Sequence, residues 1–127
     1  MIQTIAEAEP VGPKNYFDVL AVPPCTGNTA AKLAAGITDT AVTMAVKSHL
    51  RGGKSVVLAF GSNDGLSASA KNIGELLNRK HYYFVPLYQD APETKPRSLA
   101  ADYDLLEETI LEAAAGRQIQ PILTQKP

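Results

Sequence analysis

The chain predicts a layered α/β fold: one parallel sheet with helices packed on both of its faces. Two short runs, Phe17 to Val22 and Ser55 to Phe60, are β-branched and almost wholly apolar, as strands buried on both faces are. Segments of helical period lie between such runs, and a strand that returns to the sheet through a helix returns parallel. With 127 residues and 45% hydrophobic content, the chain is sized for one core and one domain, residues 1–127.

Taken in order, a loop-like Glu9-Pro10-Val11-Gly12-Pro13 leads into the first strand. A helix is expected over Thr29 to Ala35, closed by Gly36, and a second over Thr40 to Leu50, closed by Gly52 and Gly53. The strand Ser55 to Phe60 follows, then a helix over Ala68 to Asn78. Tyr82 to Val85 makes a third strand that stops at Pro86, which has no N–H to give a central strand. Asp90 to Pro96 reads as a surface loop. The last helix, from Asp104 or Leu105 to Ala115, sets Glu107 and Glu108 near its start and Gly116 and Arg117 at its exit, as its dipole favours.

This order belongs to the three-layer αβα, flavodoxin- or Rossmann-like architecture. Three strands are fewer than the roughly five or six such sheets hold, so the sheet is expected to lack its N-terminal strands.

Composition removes several functions. Twelve Lys and Arg against thirteen Asp and Glu leave a net charge of -1, too little field for nucleic acid or an anionic membrane. The single cysteine, Cys25, has no partner for an internal disulfide, and one cysteine with two histidines falls short of a structural zinc set. No stretch approaches the roughly 18 apolar residues of a membrane helix, and the acidic N-terminus does not resemble a signal peptide. The expectation is a soluble protein of the cytoplasm.

In open parallel sheets, ligands bind beyond the carboxyl ends of the strands. After the first strand, Pro23-Pro24-Cys25-Thr26-Gly27-Asn28-Thr29 combines natural helix caps with a glycine that admits close backbone approach. Free N–H groups at a helix start attract phosphate or carboxylate, so the loop reads as an anion cradle, with plain helix capping as the competing reading. After the second strand, Gly61-Ser62-Asn63-Asp64-Gly65 is ordinary turn composition placed at the same sheet edge. Tyr88 and Gln89 after the third strand are candidate rim contacts.

Cys25 invites reading as a nucleophile, because a thiol at a helix N-terminus ionises more readily, but no base stands beside it in sequence. His49 and His81 read as structural. Lys47, His49, Arg51 and Lys54 form a positive cluster suited to a dicarboxylate or, more simply, to a helix C-terminus.

From Pro24 to Asp39 the chain resembles the flavoprotein family of FMN-containing decarboxylases and their relatives. Pro24, Asn28, Thr29, Lys32, Gly36 and Asp39 fall on that family's Pro-Ala-Ser-Ala-Asn-Thr motif and the Lys, Gly and Asp that follow it. The resemblance implies a flavin and substrate site lined by Pro24, Cys25, Thr26, Gly27, Asn28 and Thr29, with Ser62 and Asn63 from the second loop. The family's second signature, Pro-Ala-Met-Asn-x-x-Met-Trp, falls on Phe60 to Ser67, where only Asn63 matches; this departure weighs against a decarboxylase.

One branch of the family is similar along nearly the whole chain, including Val42-Thr43-Met44-Ala45-Val46-Lys47 and Gly116-Arg117-Gln118-Ile119-Gln120-Pro121. That resemblance implies one subunit of an oxidoreductase, working with a dehydrogenase-like A-type partner on dihydrodipicolinate in the mother cell of a sporulating bacterium. It implies FMN as a ligand, NAD(P) carried by the A-type partner, and a homo-oligomer. The family's phosphate loop precedes the matching segment, so the cradle for FMN phosphate is expected to be absent. A decarboxylase-type flavoprotein and a non-catalytic subunit for partner binding are the competing readings.

Overall fold

A computed structural model of the chain describes residues 3–4 and 19–126. Its strands are β1 (Gln3–Thr4), β2 (Leu20–Cys25), β3 (Val56–Ser62), β4 (Tyr82–Phe84), β5 (Leu87–Tyr88) and β6 (Leu99–Ala101). Its helices are α1 (Gly27–Ala35), α2 (Ala41–Arg51), α3 (Ala70–Leu77) and α4 (Leu106–Ala114), the last entered through a 3-10 turn at Tyr103–Leu105.

β3 is the hub of the sheet. β2 and β4 both run parallel to it, Val57 lying beside Ala21 on one side and Tyr83 on the other. The end of β3, Gly61–Ser62, pairs antiparallel with β6, which pairs antiparallel with β5. β1 lies antiparallel to β2. The sheet is therefore mixed, where an all-parallel one was expected. Residues 89–98, between β5 and β6, contain no helix and are too few for the dozen or more residues a parallel crossover needs, so this pair closes as an antiparallel unit.

Alternation along the strands sorts the core into two sides. Leu20, Val22, Val56, Leu58, Phe60 and Phe84 point to one face and are covered by Ala30 and Leu33 of α1, Val46 of α2, and Ile73 and Leu76 of α3. Val19, Ala21, Val57, Ala59 and Ala101 point to the other, against Ile110 and Ala113 of α4. The alanines of this second face let α4 sit close, and Ser55 ties it down by donating from Oγ to the carbonyl of Ala113 at 2.9 Å. Fully burying Phe60 and Phe84 contributes about 2–3 kcal/mol each.

Element ends follow local chemistry. Thr40 caps α2 in a capping box: its Oγ1 accepts from the N–H of Thr43 at 3.1 Å while Thr43 Oγ1 accepts from the N–H of Thr40 at 3.0 Å. Gly36 closes α1 in the left-handed conformation, with φ of 76°. Pro86 does end the third predicted strand, and the surface loop falls where expected. The first predicted strand is displaced: it runs from Leu20 through Pro23 and Pro24 to Cys25, with a register break between Val22 and Cys25 that accommodates the missing proline N–H groups. Phe17, Asp18 and the loop Glu9 to Pro13 lie outside the described residues.

Candidate functional site

β2 and β3 both deliver their carboxyl ends to one edge of the sheet, where α1 and α3 begin. Thr26 is the N-cap of α1: its Oγ1 accepts from the N–H of Thr29 at 3.3 Å, and its carbonyl accepts from the N–H of Ala30 at 2.9 Å. Gly27 opens the helix. A Cβ there would stand 2.9 Å from Ser69 Oγ, 3.0 Å from Ser62 Oγ and 3.3 Å from Asp64 Oδ1, so it is close approach rather than backbone angle that favours glycine, and a larger residue would have to displace those hydroxyls.

Asp64 organises the facing turn. Its Oδ1 accepts from Ser62 Oγ at 2.5 Å and Ser69 Oγ at 2.8 Å, and its carbonyl accepts from the N–H groups of Ser67 and Ser69, both at 3.0 Å. The Ser62 hydroxyl, then that of Ser69, holds the Asp64 carboxyl below its ordinary pKa, because both bonds favour the ionised form. The turn is also fixed from outside, the N–H of Leu66 donating to the carbonyl of Arg97 at 2.8 Å.

Between this turn and α1 lies an open cleft of about 740 Å³ lined by Gly27, Asn28, Ala31, Ala35, Ser62, Asp64, Ser67, Ala68, Ser69, Lys71 and Asn72. Of the residues predicted from sequence, Gly27, Asn28 and Ser62 reach it. Pro24 and Asn63 are exposed outside it, Thr26 and Thr29 are engaged with each other at the helix cap, and none of the four lines the cleft.

Cys25 requires correction. Its side chain is 0% exposed within the core face that holds Phe60 and Phe84, and desolvation pushes its thiol up to about 12. Burial in apolar surroundings overrides the helix N-terminus, so Cys25 is neither an activated nucleophile nor a lining residue. The anion cradle also changes meaning, because the carboxylate beside the first turn of α1 is the chain's own Asp64.

Sequence reasoning missed Asp64, Ser67, Ser69, Lys71 and Asn72. The signals present were the two-residue spacings Ser62/Asp64 and Ser67/Ser69, and Ala31 with Ala35 one turn apart on an otherwise polar face of α1. Tyr88 and Gln89 are not brought in; Gln89 instead donates to the carbonyl of Pro96 at 3.0 Å. His49 and His81 also stand apart, His81 in a turn with φ of 74° whose carbonyl accepts from the N–H of Val56 at 2.8 Å.

A mixed sheet flanked by helices, with a polar cleft beyond the carboxyl ends of two neighbouring parallel strands, defines a flavodoxin-like ligand-binding domain. The chain belongs to the Flavoprotein family, whose sequence profile matches residues 3–104. It is 42% identical over 124 residues to the B subunit of dipicolinate synthase from Bacillus subtilis (strain 168), a match covering 98% of this chain and 62% of that protein. It is also similar to the crystal structure of the B subunit of dipicolinate synthase from Bacillus halodurans C, with 43% identity and a TM-score of 0.85 over 98% of this chain and 64% of the other. The chain thus spans less than two thirds of the length of either relative.

Family membership makes a flavin the ligand to test against the cleft. The amides of Asn28 and Asn72, the hydroxyl of Ser67 and the ammonium of Lys71 offer the donors and acceptors that the polar edge of a planar ring requires, and the alanines 31, 35 and 68 leave room for its face. A phosphate fits less well, since Asp64 sets a negative charge against it.

Proposed function

We propose that this chain forms the cleft-bearing part of a B-type subunit of dipicolinate synthase. In this reading it works with the dehydrogenase-like A-type partner to oxidise dihydrodipicolinate to dipicolinate in the cytoplasm of a sporulating mother cell. The observation that carries the reading is 42% identity to the B subunit of a dipicolinate synthase across 98% of the chain, cleft included. FMN is the flavin proposed for the cleft, with Asn28, Ser67, Lys71 and Asn72 holding its ring edge; when bound, a flavin supplies a hydride acceptor. NAD(P) belongs to the A-type partner, and the B-type chains associate as a homo-oligomer.

The chain's own part is positional. Lys71 offers its ammonium to a substrate carboxylate, while Asp64 keeps that carboxylate away from the start of α1. The test is reconstitution of the chain with the A-type partner, following the ultraviolet absorbance of dipicolinate, alongside titration with FMN and FAD. Turnover that needs both chains and falls at least tenfold in Asn28→Ala and Lys71→Gln supports the reading; equal turnover by the A-type partner alone overturns it.

A non-catalytic, partner-stabilising role is favoured by one observation: Asp64 and Lys71 are the only ionisable side chains lining the cleft among the described residues. Complex formation with turnover indifferent to both substitutions would select that role.

A further inference from the structure

Around the C-terminal ends of α1 and α2 and the start of β4 lies a second cavity, of about 410 Å³. Leu33, Ile37, Val46 and Leu50 give it aliphatic walls beside Thr38, Thr43 and Tyr82, its rim carries three cations, Lys47, Arg51 and Arg79, and among the described residues no acidic side chain lines it. Arg79 is already committed. It donates to the carbonyls of Leu33 at 3.0 Å and Ala34 at 2.6 Å and to Glu75 at 3.0 Å, which quenches the negative end of α1 beside the cavity.

Lys47 and Arg51 are not committed. They stand four residues apart on one face of α2, where like charges repel, and among the described residues neither has a carboxylate partner. The C-terminal dipole of α2 accounts for Arg51 in its last turn but not for Lys47 one turn earlier, nor for the aliphatic cavity that both line.

We propose that this cavity binds a small organic anion with an apolar body, such as an aryl or branched-alkyl carboxylate. Lys47 and Arg51 hold its charge, and Leu33, Ile37, Val46 and Leu50 cover its body. An inorganic anion leaves the aliphatic walls wet, and a neutral apolar molecule leaves the two cations unpaired, so the pairing of the two surfaces selects a ligand that has both parts. The volume suits a one- or two-ring molecule. The site is separate from the cleft at the start of α1 and does not depend on its flavin reading.

The test is calorimetric titration of the full chain with 2-naphthoate, with 2-naphthalenemethanol as its neutral counterpart and inorganic phosphate as the charge alone. Saturable 2-naphthoate binding is expected, weakened at least tenfold in the double variant Lys47→Gln/Arg51→Gln and in Ile37→Ser, and unchanged in Lys71→Gln of the other cleft. The alcohol and phosphate are each expected to bind at least tenfold more weakly than 2-naphthoate. Equal affinity for the alcohol, an unchanged double variant whose circular dichroism is native, or an equal loss in Lys71→Gln overturns the proposal. So does a glutamate-rich peptide that binds at Lys47 and Arg51 where 2-naphthoate does not, which would make the face a protein contact.

Discussion

Ser69 donates its hydroxyl to Asp64 Oδ1 at 2.8 Å, and in doing so gives up the side-chain cap that a serine in front of α3 would otherwise provide. A helix-capping residue has been turned to fixing a carboxylate. That carboxylate stands against Gly27, so one pair of residues joins the end of β3, the start of α3 and the start of α1.

Because the folded pKa of Asp64 lies below its ordinary value, its contribution to stability is present above about pH 4 and is lost as pH falls through the lower folded value. Urea midpoints measured from pH 6 down to pH 2.5 should therefore decline more steeply for the native chain than for Asp64→Asn. Parallel curves would show that the two serine bonds do not stabilise the ionised form.

Gly27→Ala tests the close approach directly. The new methyl meets the hydroxyl ends of Ser69 and Ser62, which can rotate aside, and at the first position of α1 alanine gains only part of the roughly 1 kcal/mol it holds over glycine in a helix interior. Stability should change by less than about 1 kcal/mol while the Asp64 carboxyl, stripped of its donors, returns toward its ordinary pKa, as read by NMR titration of its carboxyl carbon.

Gly65→Ala is expected to behave differently, because its methyl would lie 2.7 Å from the Cβ of Leu99, a position that cannot rotate away. Overpacking of this kind costs about 1–3 kcal/mol, and a urea midpoint within error of the native one would refute it.

Cys25 should be inert toward 5,5′-dithiobis(2-nitrobenzoate) at pH 8 in the native protein and react fully after unfolding. Raised from 9.0 to about 12, the thiol contributes stability that is present below pH 9 and lost as pH climbs toward 12. Cys25→Ser sets a hydroxyl in the same apolar pocket and should cost about 1–3 kcal/mol by chemical denaturation.

Gln118 closes the outer side of β4 in place of another strand: its Oε1 accepts from the N–H of Phe84 at 2.8 Å and its Nε2 donates to the carbonyl of Phe84 at 2.7 Å. Gln118→Ala leaves both backbone groups without their partner and should cost about 2 kcal/mol, whereas Gln118→Glu keeps the acceptor and loses the donor. Amide exchange at Phe84 is the local readout.

Periodicity and end chemistry made the helices and the two long strands legible. The Gly36 stop, the Thr40 cap and the Pro86 strand end all act within a few residues of themselves, so a one-dimensional reading finds them. β5 and β6 escaped because two- and three-residue strands have no period to detect, and Leu99-Ala100-Ala101 has little strand propensity of its own. Of the residues lining the cleft, Gly27, Asn28 and Ser62 are legible because each lies at or just beyond the end of a strand.

Along the chain, β-branched apolar runs alternate with capped helices, and that order alone puts the candidate site at the carboxyl ends of β2 and β3. Which side chains face it follows from the packing of the folded chain. Cys25 and Asn28 are three residues apart, yet one is sealed in the core and the other lines the cleft, and Asp64 becomes the centre of the turn because Ser62 and Ser69 both fold onto its carboxylate. Burial and hydrogen bonding across loops set those outcomes, and neither has a period that can be read along the chain.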